Sequence, residues 1–161
     1  MSSTEIARLI EQAERSFDAP PEAVEAGLTV QDAPLLQLRK ACRLLASADQ
    51  LLERGYYTLV IEASFVAIER SIEVRLLERG DRDPRDLPGS HTAVYREATR
   101  VGVLSEGSAD RLADLWRNHR AKTYYQDGLA TRGRARALHN LAAEIHRFIV
   151  GRSSQGHECV C

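Results

Sequence analysis

The chain has 161 residues, with 43% hydrophobic and 28% charged residues and a net charge of −1. That length supports one domain whose core is large enough to need no metal or disulfide staple, and the composition is that of an ordinary globular protein. No apolar run reaches the ~20 residues that span a bilayer, and Glu5 and Glu11 among the N-terminal apolar residues do not fit a secretory signal, so the expectation is a cytoplasmic protein with no membrane partner.

Helical periodicity dominates the chain, and no alternating strand pattern appears. Ser2 and Glu5 have capping-box spacing, and Ile6, Leu9, Ile10, Ala13 and Phe17 recur at helical intervals, which predicts an amphipathic helix over 4–17. Asp18-Ala19-Pro20-Pro21 stops it, and a linker with room for one short helix over Pro21–Ala26 runs to Pro34. The next helix is expected over 34–54, with Leu38, Ala41, Cys42, Leu45, Ala48 and Leu52 on one side and Gly55 at its end. Tyr56 to Arg79 reads as a longer helix, apolar nearly all round between Leu59 and Ile68, the mark of a central bundle member.

After a charged loop with two prolines, Ser90 can cap a helix that runs through Arg100. Further helices are expected over 108–125 and 132–150, the last burying Ala135, Leu138, Leu141, Ala142, Ile145 and Ile149. Short connections favour antiparallel neighbours. The fold class is therefore all-α, an up-and-down helical bundle with an extra N-terminal helix. Residues 1–33 form the N-terminal helix and Pro-rich linker, 34–150 the bundle, and 151–161 a flexible tail.

Most familiar chemistries lack their residues. The chain has no phosphate-binding glycine loop, no Gly-x-Ser-x-Gly elbow and no His-Glu-x-x-His. A carboxylate-bridged di-metal centre needs Glu-x-x-His pairs, but Glu144 and His146 are two apart, and Glu62, Glu69 and Glu97 have no histidine at that spacing. Cys42 sits at an apolar helical position and reads as an inert core thiol. His157, Cys159 and Cys161 offer soft ligands in the tail, too close together and too loosely held for a strong site. No metal or cofactor is assigned. His91, just after a cap, and His139 and His146, on the last helix, carry no signal individually.

Charge is segregated along the chain. Residues 109–152 hold nine Arg or Lys against four acids, and lysine occurs only at Lys40 and Lys122. Within this segment Trp116 precedes a dense cluster of Arg117, Asn118, His119, Arg120, Lys122, Tyr124 and Tyr125. Arginine offers a planar fork to phosphate, and tyrosine can stack on bases or donate a hydrogen bond. Arg117 and Tyr124 align within about 20° on a helix, while Lys122 lies about 140° round from Arg117. His119 faces the packed side with Leu112, Leu115 and Trp116, where a satisfied, partly buried imidazole is the simpler reading than catalysis. The plain alternative for the cluster is a solvated helix end, with Arg117 paired to Glu62 or Glu69.

Two long helices joined by Gly55-Tyr56-Tyr57, then a loop, a short helix and an Arg-Asn helix resemble the HEPN domain over residues 35–150. The phrase Ala48-Asp49-Gln50-Leu51-Leu52-Glu53-Arg54-Gly55-Tyr56-Tyr57, followed by Ala63, Ala67 and Glu69, is similar to the first helical pair of that family. The family's ribonuclease motif is Arg, a polar residue, a spacer and His, with a Tyr two residues later in one toxin branch. Arg117, Asn118 and Tyr124 match, whereas Lys122 stands at the histidine position.

The resemblance implies a homodimer that binds RNA or another phosphate-rich ligand near Arg117, Asn118, His119, Arg120, Lys122, Tyr124 and Tyr125. It also implies a toxin- or defence-type, metal-independent endoribonuclease whose catalysis is altered. In an active enzyme Arg117 would steady the phosphate, Asn118 orient it, Lys122 hold it, and Tyr124 stack or donate a hydrogen bond. A lysine of ordinary pKa, about 10.4, is a poor proton acceptor at neutral pH. Two other readings accompany this one: a non-catalytic antitoxin or scaffold module, and a subunit whose Tyr124 is modified by a small nucleotidyltransferase partner.

Overall fold

The computed structural model describes residues 3–80, 82–122, 128–153, 156, 157 and 161. Among the described residues there are six α-helices: α1 (Ser3–Asp18), α2 (Ala33–Glu53), α3 (Tyr57–Glu78), α4 (His91–Arg100), α5 (Glu106–Lys122) and α6 (Arg132–Val150). No strand occurs among the described residues, and none of their helices is long and apolar enough to cross a membrane.

Local chemistry sets the helix ends. Asp32 accepts the Leu35 N–H at 2.7 Å ahead of α2, with Pro34 in the first turn. Ser90 caps α4 through the Ala93 N–H at 3.4 Å, and Thr131 caps α6 through the Arg134 N–H at 3.2 Å. Gly55, with φ at +82°, turns the chain from α2 into α3 through a conformation that strains any residue with a Cβ.

α3 is the centre of the bundle, as its nearly continuous apolar surface predicts, and buries thirteen residues. It packs against α2, α4 and α6; α5 packs on α4, and α6 also meets α2. Phe65, Ile68, Ile72, Val74 and Leu76 are at most 1% exposed. Each large apolar side chain so buried stabilises the fold by about 1.5–3 kcal/mol. The polar residues of α3 are accommodated individually. Ser64 and Ser71 donate to the carbonyls of Val60 and Ala67 at 2.6 and 2.8 Å. Glu73 meets Arg70 at 2.7 Å; burial raises its pKa, and Arg70 partly offsets the rise.

α1 behaves differently. It is amphipathic, as the periodicity predicts, but buries none of its residues, and Phe17 is 88% exposed. The expected short helix over Pro21–Ala26 does not form. Arg39 takes the Gly27 carbonyl at 2.7 Å, and Arg43 reaches both the Ala26 carbonyl and the Glu25 carboxylate. The linker is thus laid on α2 by two arginines that satisfy its carbonyls.

Cys42 is buried as expected but is not an inert thiol. It forms a disulfide with Cys161, the Cα atoms 5.2 Å apart. The C-terminal segment is held at a second place by Glu78, whose buried side chain meets Arg75, Ser153 and His157. Beside the disulfide lies His146, 4% exposed, its Nδ1 2.9 Å from the Ser71 hydroxyl. Burial pushes the His146 pKa down to about 4.

Two outcomes follow for stability. Ile68→Ala is expected to cost about 2–5 kcal/mol by denaturant unfolding, and Ile10→Ala on α1 less than about 0.5 kcal/mol; similar losses at the two sites would contradict the packing. The unfolded chain protonates His146 near its ordinary pKa of about 6.5, whereas the folded chain holds it neutral to about 4. Stability measured with the disulfide intact should therefore fall as pH drops through that window, by about 3 kcal/mol from this group. The slope should be shallower in His146→Asn, and an unchanged slope would show that His146 is not the group responsible.

Candidate functional site

Residues 115, 118, 119 and 122 recur at i, i+3, i+4 and i+7, so one stripe of α5 carries Leu115, Asn118, His119 and Lys122. That stripe lines a groove of about 560 Å³ against Ile61 and Phe65 of α3 and Leu138 and Leu141 of α6. Arg134, in the first turn of α6, completes the rim. The Thr131 cap starts the helix at this point, and Arg134 Nη1 donates to the Leu129 carbonyl at 2.7 Å, which fixes where the guanidinium lies. The described lining has apolar walls and two cations, Lys122 and Arg134, and includes no carboxylate. Chemically it suits a flat apolar ring attached to an anion.

Behind the groove stands a cluster of rings and carboxylates. His119 Nε2 lies 2.9 Å from Glu62 Oε1, and its ring sits 5.7 Å from that of Phe65. Trp116 meets Phe65 edge-on at 4.9 Å and lies against the His91 ring at 3.7 Å. His91 Nδ1 faces the Glu69 carboxylate. Burial lowers the His91 pKa; the Glu62 charge opposes that shift, and the Arg120 charge adds to it. The Arg120 guanidinium lies over Trp116, 5.2 Å from the ring centroid. A second, polar cavity of about 290 Å³ opens on the other side of His91, between Gln37, Glu69, Glu73 and the loop before α4.

The structure divides the cluster singled out from the sequence. Asn118, His119 and Lys122 share the groove, and Arg120 packs on Trp116. Arg117 is on neither surface. Its Nη2 pairs with Asp114 at 3.1 Å, its Nε donates to the Ala113 carbonyl at 3.3 Å, and its side chain is 64% exposed. The expected pairing of Arg117 with Glu62 or Glu69 is therefore corrected. Those carboxylates face His119 and His91, while Asp114, one turn back on the same helix, is within reach. Tyr124 and Tyr125 lie outside the described residues.

Sequence reasoning missed Arg134 and the two Glu–His pairs. Glu62 and Glu69 are seven residues apart on α3, a spacing that puts them on one face and marks it as polar. Which histidines would arrive there depended on how α4 and α5 pack.

No curated protein and no solved structure matches the chain. A family model does match over its whole length, residues 1–161, under the description Domain of unknown function (DUF8154), and the chain belongs to that family.

Proposed function

We propose that this protein is a HEPN-like homodimer that binds single-stranded RNA through the groove between α5, α3 and α6. The supporting observation is the rim, where Lys122 and Arg134 converge with Asn118 on an apolar cleft whose described lining has no carboxylate. A base fits the apolar walls, and the cations meet the phosphates that flank it. The local surplus of basic residues over 109–152 points the same way. In this reading the ligand-holding cations are Lys122 and Arg134, with Asn118 as a hydrogen-bonding partner. His119, oriented by Glu62, is the imidazole at the groove should cleavage occur.

One observation favours the alternative of a non-catalytic interaction module. Arg117, the residue that would steady the phosphate in a HEPN nuclease, is turned to Asp114 instead. RNA cleavage is therefore assayed alongside binding, and product formation that requires His119 would favour the enzyme. The homodimer is tested by sedimentation, where a monomer at every concentration would remove it.

Lys122→Ala and Arg134→Ala are each expected to weaken binding of a labelled single-stranded RNA by about tenfold, ~1.4 kcal/mol. Each should also lower the salt slope by about 0.7, the value for one phosphate contact on a single strand. Arg117→Ala should do less. Fluorescence anisotropy across a salt series reads all three. RNA affinity and salt slope unchanged in both groove variants would overturn the proposal.

A further inference from the structure

Cys42, His146 and Cys161 form a cluster apart from the groove, and RNA binding there makes no use of it. Each offers one donor atom, and the three atoms lie within 4.8 Å of one another. His146 Nε2 is 3.5 Å from the Cys42 sulfur and 3.5 Å from the Cys161 sulfur. The other face of the imidazole fixes its tautomer. The Ser71 hydroxyl donates to the Ala67 carbonyl at 2.8 Å, so towards His146 Nδ1, 2.9 Å away, it accepts. Nδ1 then carries the proton, and Nε2 turns its lone pair to the two sulfurs.

That arrangement has the dimensions of a metal centre. Zinc–sulfur and zinc–nitrogen bonds of about 2.3 and 2.0 Å at tetrahedral angles set sulfur and nitrogen ligands about 3.5 Å apart, and two sulfurs about 3.8 Å apart. Both sulfur–nitrogen edges are already close to this. Only the sulfur–sulfur edge must open, and reduction of the disulfide opens it. Ser71 provides the partner on the far nitrogen that orients a metal-ligating histidine. Two thiolates and an imidazole select a borderline or soft ion over magnesium or calcium.

We propose that in the reduced chain Cys42, Cys161 and His146 bind a zinc ion, and that the Cys42–Cys161 disulfide is the oxidised, metal-free form of the same site. On binding, the two thiols release two protons to solvent and become thiolate ligands. On oxidation by a small-molecule disulfide such as glutathione disulfide, the two thiolates give up two electrons and form the sulfur–sulfur bond. The oxidant takes these electrons with two protons and becomes two thiols, and zinc leaves. Zinc takes four ligands, and water supplies the fourth. The ion would hold the segment bearing Cys161 onto α2 and α6, as the disulfide does.

The full-length chain, reduced with a phosphine and freed of reductant without air, is titrated with cobalt(II) as a spectroscopic substitute for zinc. The proposal expects one cobalt per chain, a thiolate-to-cobalt charge-transfer band in the near ultraviolet, and loss of that band on adding zinc. Cys42→Ser and Cys161→Ser should each abolish the band, and His146→Asn should weaken and shift it. Circular dichroism checks that the variants keep their helices, and Cys161, outside the helices, keeps the test sound if Cys42→Ser does not fold. Absence of the band in the reduced wild type would overturn the proposal, as would an undiminished band in Cys161→Ser.

Discussion

A helix that packs on several neighbours at once must place every polar group it carries against a partner, because a buried polar atom left without one costs about 1–3 kcal/mol. α3 is that helix, and its polar side chains recruit the histidines of the other elements. Glu62 takes His119 from α5, Glu69 takes His91 from α4, and Ser71 takes His146 from α6. Glu78 lies 3.7 Å from His157 of the C-terminal segment. Four of the five histidines thus meet α3; the fifth, His139, bonds the Leu45 carbonyl of α2 at 3.2 Å. The hydrogen bonds to His119 and His146 are directional where apolar contacts are not, and so help to set the rotation of α5 and α6 against α3.

One of these pairings borders the groove: His119, on its lining, is held by Glu62, whereas Glu69 and His91 line the polar cavity on the other side. Two of the α5 cations that do not line the groove have other contacts: Arg117 pairs with Asp114, and Arg120 stacks on Trp116. What remains at the rim, among the described residues, is a pair of cations over apolar walls. A surface of this kind attracts polyanions through charge and holds them through stacking. Site and scaffold are therefore not separable, because the Glu62–His119 contact that orients α5 also holds a side chain of the groove.

Much of the scaffold was legible in the sequence because it depends on local signals. The helix boundaries, the caps at Ser90 and the Gly55 turn, and the central place of α3 all follow from residues within a few positions of one another. The inward turn of His119 was legible too, from its spacing to Trp116 and Leu112. What depends on distant residues was not. Arg134 reaches the groove only because α6 folds back on α3. Cys42 and Cys161 are separated by 119 positions, and nothing near either one announces the other. The partner of Arg117 was misassigned for a different reason. Glu62 and Glu69 have the right charge, but in the fold each already faces a histidine.

In the proposed reading RNA binds the groove stripe of α5 together with the start of α6, and not the face that carries Arg117. Photocrosslinking of a 4-thiouridine-substituted single-stranded RNA to the wild-type protein, with the modified peptides located by mass spectrometry, tests this directly. Crosslinks are expected at Leu115, Asn118, Lys122, Arg134, Ala137, Leu138 and Leu141, where the groove lies. Crosslinks confined to Asp114, Arg117 and the outer face of α5, or spread without preference over the surface, would contradict it.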